Sequence, residues 1–341
     1  MAAAHRLFLL GHHYLWRRDM SRCLKPIASM LVLLLLLGVE PVSPVVTLAF
    51  VGDIMLGRGI AMAHHDGDWV NALAYITPYL SSADLALANL ESPITSSSAP
   101  LKALKYDLRA PPESVSGLTN SGLDLLSLAN NHSMDYGLLG LQDTQKTLVN
   151  AGLIPIGSGS RPQWSTIHGL RLAFFAFEDI NQPLNIDEVT QAIAQARRSG
   201  AVVIVSMHWG NEYQPGPTKR QRALAQALAN AGVSLIWGHH SHVIQPVAWI
   251  TSKSPRNLHS QNIIVSTLTI YGLGNALFDQ YTPPDTRRSA VLLVTLAADG
   301  VKSIRVIPFQ IDPRRGHIVP ADAETAESVL HRLGLIEYFD H

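Results

Sequence analysis

The segment Leu235-Ile-Trp-Gly-His-His-Ser-His242 joins a short apolar run to three histidines within four positions. The run at 233–237 has the length and apolar content of a buried β-strand, and the glycine after it is typical of a strand end. A histidine cluster directly after a strand has no evident structural purpose, whereas neutral imidazole is a common metal ligand. The segment therefore predicts a strand that delivers imidazoles to a metal site.

The same arrangement occurs four more times towards the amino terminus. In each case a side chain that can bind a metal ion stands at or just beyond the end of an apolar run. The runs at 202–207, 125–129, 85–90 and 48–52 are followed by His208, by Asn131 with His132, by Glu91 and by Asp53, respectively. The carboxyl ends of strands in an open α/β sheet converge on one edge, where such folds place their sites. We therefore expect these residues to gather at one site.

The candidate ligands are carboxylates, an amide and imidazoles, and the only cysteine of the chain is Cys23. Such donors suit hard or borderline divalent ions such as Mn, Fe(II), Zn or Mg. Taken singly, each residue also has a structural explanation. Asp53 fits a turn, Asn89 and Glu91 fit a cap, residues 130–132 fit a polar turn, and His208 fits the core. The repeated pattern, rather than any one member, favours a metal site.

From residue 45 onward, short β-rich runs alternate with longer helical patterns. Strands are predicted at 45–50, 85–89, 123–128, 171–177, 201–206, 233–237, 262–266, 289–296 and 301–310. Helices are predicted at 69–81, 111–121, 138–151, 186–199 and 218–231. Asp299-Gly300 between two apolar runs predicts a hairpin. Alternation followed by a hairpin predicts an α/β fold with an added antiparallel part, in one domain over 45–341.

Composition limits the class of protein. Of the 341 residues, 47% are apolar and 15% are charged, which allows a sizeable core. Residues 1–40 hold five of the 26 basic and two of the 26 acidic residues, so the remainder has three more acids than bases. Such a body has no general attraction for nucleic acid. This balance argues against a cytoplasmic nucleic-acid phosphodiesterase.

Residues 1–44 form a leader pattern. Arg17, Arg18, Arg22 and Lys25 precede an apolar run at 27–39, and prolines follow it. About 13 apolar residues fit the core of a signal peptide better than a full span of ~20. An uncleaved membrane anchor is the alternative, and a buried core helix is disfavoured because no polar face interrupts the run. Basic residues before the run place the body outside the cytoplasm, membrane-anchored or secreted.

The motifs Gly52-Asp53, Asn89-Leu-Glu91, Asn130-Asn-His132, His208-Trp-Gly210 and Gly238-His-His-Ser-His242 occur in this order. In that order they resemble the capsule-synthesis (poly-γ-glutamate) CapA family of the calcineurin-like metallophosphoesterase superfamily. The similarity runs from Thr47 to Gln310 and includes Tyr271-Gly-Leu-Gly-Asn275, which departs from the family motif at Gly272 and Ala276. The resemblance implies a four-layer α-β-β-α metallophosphatase-like sandwich with two divalent metal ions.

The resemblance also implies a role for each residue. The implied metal ligands are Asp53, Glu91 (near the bridging position), Asn131, His208, His240 and His242. His132 is the implied catalytic residue, as general acid or oxyanion stabiliser, and Asn89, His239 and Asn275 are predicted to bind substrate. One position departs from the superfamily, because Met55 stands where a histidine is usual. A thioether is a poor ligand for these ions, so one metal position is expected to be weaker or completed by water.

Two functions follow as expectations. The first is metal-assisted hydrolysis of a phosphoester, or of an amide in an anionic polymer such as poly-γ-glutamate. The second is a non-catalytic module that uses metal ions to bind or anchor such a polymer at the cell surface. In either case the expected partners are the membrane, through the leader, and membrane proteins of polymer synthesis.

Overall fold

Two β-sheets contain the predicted strands in a computed structural model, which describes residues 43–98, 100, 106–253 and 264–335. The first sheet consists of β1 (Val45–Ile54), β2 (Leu85–Leu90), β3 (Leu125–Ser127), β4 (Ile154–Ile156), β11 (Asn275–Leu277), β12 (Arg288–Ala297), β13 (Gly300–Asp312) and β14 (His317–Pro320). Its order is β14-β13-β12-β1-β2-β3-β4, and the short β11 also pairs with β1. Strands β1 to β4 are parallel to one another, whereas β12 to β14 are antiparallel neighbours.

The second sheet consists of β5 (Gln163–Ile167), β6 (Leu170–Glu178), β7 (Val202–His208), β8 (Leu235–His239), β9 (Ile244–Lys253) and β10 (Ile264–Leu273). Its order is β5-β6-β7-β8-β10-β9. Strands β6, β7, β8 and β10 run parallel, and antiparallel edge strands flank them.

Seven α-helices are described, of which six connect parallel strands and the last follows β14. They are α1 (Arg58–Ala63), α2 (Thr77–Leu80), α3 (Val115–Asn120), α4 (Gly137–Asn150), α5 (Ile186–Arg198), α6 (Lys219–Ala231) and α7 (Ala323–Leu333). Short 3-10 helices lie at Trp69–Leu73, Pro112–Ser114 and Pro284–Arg287. Helix α6 begins with a capping box, in which Thr218 and Gln221 bond each other's backbone, and it ends at Gly232 with a left-handed φ of 99°.

Three hydrophobic clusters explain why the strands consist of continuous apolar residues. In β1, Leu48 and Phe50 join a cluster built from both sheets, while Ala49 and Val51 face a cluster shared with α1 to α4. A third cluster packs α5 and α6 on the second sheet, through residues such as Ile193. Both faces of the central strands are therefore buried, which is why they read as continuous apolar runs.

The α/β class and the hairpin at 299–300 are confirmed, the latter by the pairing of Ala297 with Gly300. The single helix predicted over 69–81 is wrong. The segment divides into a 3-10 helix, Trp69–Leu73, and α2, because Pro78 lies in the first turn of α2 and has no N–H to continue an earlier helix.

The leader predicted at 1–44 lies outside the described residues, apart from its last two positions. Within the part of the chain that is described, no helix is both long and apolar enough to cross a membrane.

Candidate metal centre

The carboxyl ends of strands from both sheets carry the predicted ligands. Asp53 lies near the end of β1, and Glu91 directly follows the parallel strand β2. In the other sheet, His208 ends β7, and His240 is the first residue after the parallel strand β8. The sequence predicts that these side chains gather at the edge of one sheet. In the structure they lie at the ends of parallel strands that belong to two sheets.

Glycines before the ligands allow the backbone segments to approach closely. A Cβ atom on Gly52 would stand 1.9 Å from the carbonyl oxygen of Gly274, and one on Gly238 would stand 2.1 Å from that of Tyr271. Real Cβ atoms do not come so near to a carbonyl oxygen. Glycine is therefore required at both positions, one residue before Asp53 and two before His240.

The histidine segment after β8 uses unusual backbone geometry. His240 and His242 both have positive φ, of 83° and 55°. Such left-handed conformations cost roughly 1 kcal/mol or more for residues other than glycine. The strain turns two imidazoles of one short segment towards the same carboxylates.

Three histidines surround one carboxylate oxygen. Oε1 of Glu91 lies 3.9 Å from Nε2 of His132, 4.0 Å from Nε2 of His208 and 3.8 Å from Nε2 of His242. This oxygen is buried and has no hydrogen-bond partner among the residues that the structure describes. Ligand atoms at about 2.1 Å from one ion lie about 3–4 Å apart, so this spacing fits a shared cation.

His208 connects the two halves of the cluster. Its Nε2 lies 2.7 Å from Oδ1 of Asn131 and 3.1 Å from Nδ1 of His240. A single ring nitrogen cannot satisfy an amide oxygen and a second ring nitrogen equally well. Convergence of three such atoms is typical of donors that share a metal ion.

Three overlapping groups of side chains could hold metal ions. They are Glu91 with His208 and His240; Asp53 with Glu91 and His242; and Glu212 with His240 and His242. Within each group the ligand atoms lie within 4.8 Å of one another. Mixed carboxylate and imidazole donors suit borderline divalent ions.

The two buried carboxyl groups differ in their preference for protons. Burial raises the pKa of Glu91 well above its usual range, and the charges of Asp53 and Glu212 raise it further. Burial also acts to raise the pKa of Asp53, but hydrogen bonding and charge from His239 and the charge of His242 lower it overall. A divalent cation beside both groups would offset their repulsion and favour the ionised form of each.

Two of the predicted ligand imidazoles, His208 and His240, are held neutral. Burial lowers the pKa of His208 well below its ordinary value, and the neighbouring histidines add to the effect, His240 most of all. Burial and His242 lower the pKa of His240 to about 4. Both rings are therefore unprotonated near pH 7, which is the form that binds metal. The donor set thus fits divalent ions in geometry and in protonation.

The three residues predicted to bind substrate are buried, and each contacts a predicted metal ligand. Asn89 donates to Oδ1 of Asp53 over 2.8 Å. Nδ1 of His239 lies 3.1 Å from that same oxygen. Oδ1 of Asn275 lies 2.9 Å from Nδ1 of His242. None of the three lines the cavities beside the centre. Their contacts orient the ligands, as outer partners of metal sites commonly do.

His132 stands at the edge of the cluster and is partly exposed. Its Nδ1 lies 2.8 Å from Oδ2 of Asp135, and its backbone N–H donates to Oδ1 of Asn130 over 3.2 Å. Asp135 thus fixes the orientation of the ring. With Nδ1 engaged, Nε2 is the atom left to exchange a proton.

Two cavities flank the centre. One, of about 520 Å³, is lined by Arg58, Glu91, Tyr106, Leu108, Asn131, His132, Glu212, Tyr213, His242, Phe278 and Gln280. The other, of about 680 Å³, is lined by Asn131, Asp179, Ile180, Gly210, Asn211, Glu212, Thr218, Arg220, Gln221 and His240. They share Asn131 and Glu212. We call the smaller one the His132 cavity and the larger one the Arg220 cavity.

The sequence interpretation missed two residues of the site. Glu212 lies on the loop after β7, which is tied to the histidine segment by a 2.8 Å bond from the Tyr213 N–H to the Ser241 carbonyl. Its only signal was its position four residues after His208. Asp135 follows His132 by three residues, the separation of side chains that meet within one turn.

Met55 does not reach the ligand atoms. It is fully buried in the hydrophobic cluster on the outer face of the first sheet, and its Sδ accepts a hydrogen bond from the Gly57 N–H. The thioether of Met55 therefore takes no part in the cluster.

Known proteins resemble this chain over most of its length. The model of a family described as bacterial capsule synthesis protein PGA_cap matches residues 47–280. The PGA biosynthesis protein CapA of Bacillus subtilis (strain 168) is 28% identical over 310 residues, covering 85% of this chain and 78% of that protein. The capsule biosynthesis protein CapA of Bacillus anthracis is 32% identical over 307 residues, covering 80% and 71%, respectively.

Proposed function

This chain belongs to the PGA_cap family of bacterial capsule synthesis proteins, and from that premise we propose that it is a metal-dependent hydrolase with two divalent ions. The ligands would be Asp53, Glu91, Asn131, His208, His240 and His242, with Glu212 as a further candidate. The observation that carries the proposal is the unpartnered Oε1 of Glu91, with the Nε2 atoms of three histidines 3.8–4.0 Å away.

The proposed architecture is the four-layer α-β-β-α sandwich of the metallophosphatases. Support comes from the three hydrophobic clusters, one between strands of both sheets and one on the outer face of each sheet with its helices. In this arrangement the ligands come from the carboxyl ends of strands and the loops that follow them, at one end of the paired sheets.

Divalent ions such as Mn, Fe, Zn or Mg would supply Lewis-acid polarisation of the scissile group and activation of water. The protein's own part is proton transfer and orientation. His132, held by Asp135 through Nδ1, carries a transferable proton on Nε2 when its ring is protonated. It would deliver this proton to the leaving group. Asn89 and Asn275 would hold Asp53 and His242 in place.

We propose a bond within an anionic polymer, such as the amide of poly-γ-glutamate, as the substrate, with a phosphoester as the other chemical class. The names of the relatives from B. subtilis and B. anthracis refer to PGA and capsule biosynthesis. The cavities on two sides of the centre, of about 520 and 680 Å³, leave room for a chain to extend both ways from the ions.

The proposed location is outside the cytoplasm, with the leader as a signal peptide or a membrane anchor. Its basic flank and apolar run support this orientation. Membrane proteins of polymer synthesis are the proposed partners, and the acid excess of the body argues against nucleic acid.

The test compares wild type with Asp53→Asn and His208→Ala. Elemental analysis gives bound metal, and a panel of phosphoesters with γ-glutamyl polymer gives turnover. We expect both variants to lose metal and rate, while His331→Ala, an exposed histidine of α7, keeps both. Full metal content and rate in both site variants would exclude the proposed centre.

The alternative is a module that binds or anchors the polymer without cleaving it. The observation that favours it is Met55, whose side chain lies in the core instead of supplying a ligand. Saturable polymer binding by the metal-loaded protein, without product after long incubation, would support this function over hydrolysis.

A further inference from the structure

Arg58 stands in the wall of the His132 cavity, together with Glu91, His132 and His242. Among the described residues that line this cavity, it is the only lysine or arginine. Its side chain is 23% exposed, so the guanidinium is held by the protein but still reachable from the cavity. The position places one fixed positive charge beside the proposed metal ligands.

Two kinds of contact hold the guanidinium. One terminal nitrogen donates to Oδ1 of Asp279, whose other oxygen accepts the Gly59 N–H over 2.9 Å. The guanidinium carbon also lies 5.7 Å from the ring centre of Tyr106 and 5.5 Å from that of Phe278. An arginine between two rings, with one anchor, is pre-organised for a second oxyanion.

The anchor leaves hydrogen-bonding capacity unused. A guanidinium has five N–H donors, and Nε of Arg58 is buried without a partner in the part of the chain that the structure describes. An arginine that serves only to fix an aspartate commonly uses Nε as well. Arg220 does so, since its Nε and one terminal nitrogen donate to the two oxygens of Asp179.

Backbone strain points to the same place. Five described residues other than glycine have a positive φ: Arg58, His168, Tyr213, His240 and His242. All except His168 line one of the two cavities beside the centre. Strained conformations of this kind persist mainly where function requires them. Arg58, with a φ of 45°, shares this feature with two proposed metal ligands.

The charge of Arg58 acts on the cavity. It acts to lower the pKa of Glu91, against the burial and the acidic neighbours that raise it. It also acts to lower the pKa of Tyr213, which burial and Glu212 raise to about 12. An anionic group entering the cavity would therefore be attracted by this guanidinium as well as by the proposed ions.

We propose that Arg58 binds an anionic group of the substrate, a carboxylate or a phosphate, next to the group that reacts. This inference rests on the proposed function, because it specifies an anion in the substrate of the same centre. Arg58 is a specificity residue in this scheme: it selects substrates that carry a second oxyanion beside the scissile bond.

The experiment measures equilibrium binding of two probes, inorganic phosphate and glutarate, to the metal-loaded protein by titration calorimetry. The variants are Arg58→Gln and Arg58→Lys, and Arg332→Gln is the matched control, because Arg332 also pairs with an aspartate, Asp285, but lines neither cavity. We expect Arg58→Gln to bind at least one probe about tenfold more weakly with unchanged metal content, since a charge-assisted bond is lost. Arg332→Gln should stay within about twofold, because the paired charge that it removes lies outside both cavities.

The affected probe identifies the source of the anion: phosphate for a phosphoester substrate, glutarate for a carboxylate polymer. Unchanged affinity for both probes in Arg58→Gln, no binding by wild type, or loss of metal together with affinity would overturn the proposal. If Arg58→Gln does not fold, Arg58→Lys decides, because it keeps the charge but not the planar fork. A loss of about threefold supports the proposal, and equal affinity contradicts it.

Failure here is distinct from failure of the proposed hydrolysis. A wild type that binds metal and probe but never turns over substrate removes the hydrolysis and leaves the anion site. If wild type hydrolyses substrate and Arg58→Gln binds both probes with wild-type affinity, the anion site is excluded and the hydrolysis stands.

Discussion

Asn89 and Asp53 are direct neighbours across the parallel strands β2 and β1, and Nδ2 of Asn89 donates to Oδ1 of Asp53 over 2.8 Å. Oδ1 of Asn89 in turn accepts from Nδ2 of Asn130 over 3.2 Å. A chain of two amides therefore fixes a buried carboxylate whose other oxygen accepts the His240 N–H. The strand pairing thus orients a proposed metal ligand.

The first prediction concerns this contact. We expect Asn89→Ala to weaken metal binding by about 10–100-fold, the usual effect of removing an outer partner of a ligand. Titration calorimetry on the metal-free protein measures it. The control is Asn120→Ala, an exposed asparagine of α3 that bonds only the Ser116 carbonyl. Wild-type affinity in Asn89→Ala would show that Asp53 is oriented without the amide.

The second prediction concerns Glu91 and pH. Its folded pKa is raised well above 4.5, first by burial and then by Asp53. The stability gained from its protonated form is present below about pH 4.5 and is lost as the pH rises through the folded pKa. In metal-free protein, we therefore expect the free energy of unfolding of wild type to fall relative to Glu91→Gln as the pH rises above about 4.5. Urea denaturation measures the difference.

The control for this comparison is Glu113→Gln, which alters an exposed carboxylate. Its difference from wild type should not vary over the same range. A constant difference for Glu91→Gln as well would mean that Glu91 ionises normally in the folded protein.

The third prediction concerns Gly52. A Cβ atom there would stand 1.9 Å from the Gly274 carbonyl oxygen, and that oxygen also accepts the Asp53 N–H over 3.0 Å. We expect Gly52→Ala to destabilise the protein by more than ~3 kcal/mol, beyond the usual range for overpacking, as measured by urea denaturation. Gly157→Ala, where only one side-chain atom lies within 4 Å, is the control. Similar stability in the two variants would refute the close approach.

Much of this site could be predicted because its ligands follow apolar runs. The strands are buried on both faces, so they read as continuous apolar segments, and their ends mark Asp53, Glu91 and His208 directly. The order of strands in two separate sheets could not be predicted in this way. Pairing between distant segments depends on packing that a single sequence does not display.

The direction of the side chains also could not be predicted from the sequence. Spacing alone treats His239, His240 and His242 alike, but His239 ends β8 and packs edge-on against Trp237 with ring centres 4.3 Å apart. His240 and His242, by contrast, have left-handed backbone, which the spacing of the histidines does not reveal. The same limit applies to Glu212, because no periodic pattern marks a loop residue.

The fourth prediction concerns Glu212. It forms a candidate ligand group with His240 and His242, while two other groups do not include it. We expect Glu212→Gln to weaken the binding of one ion by at least about tenfold, since a charged ligand is lost, and to leave the other ion unchanged. A two-site metal titration separates the affinities. Glu327→Gln, an exposed residue of α7, controls for the charge change. If Glu212→Gln binds both ions with wild-type affinity, Glu212 is not a ligand.

The fifth prediction concerns Asp135 and His132, whose contact is 2.8 Å long. If Asp135 acts by orienting and charging the ring, Asp135→Asn should lower kcat by at least about tenfold with metal content unchanged. In His132→Gln the carboxylate has no ring to orient, so adding Asp135→Asn should cause little further loss. Steady-state kinetics on the substrate identified from the panel measures all three variants, with Asp187→Asn as an exposed control. Additive losses would mean that the two residues act independently, and Asp135 would then have a role apart from the histidine.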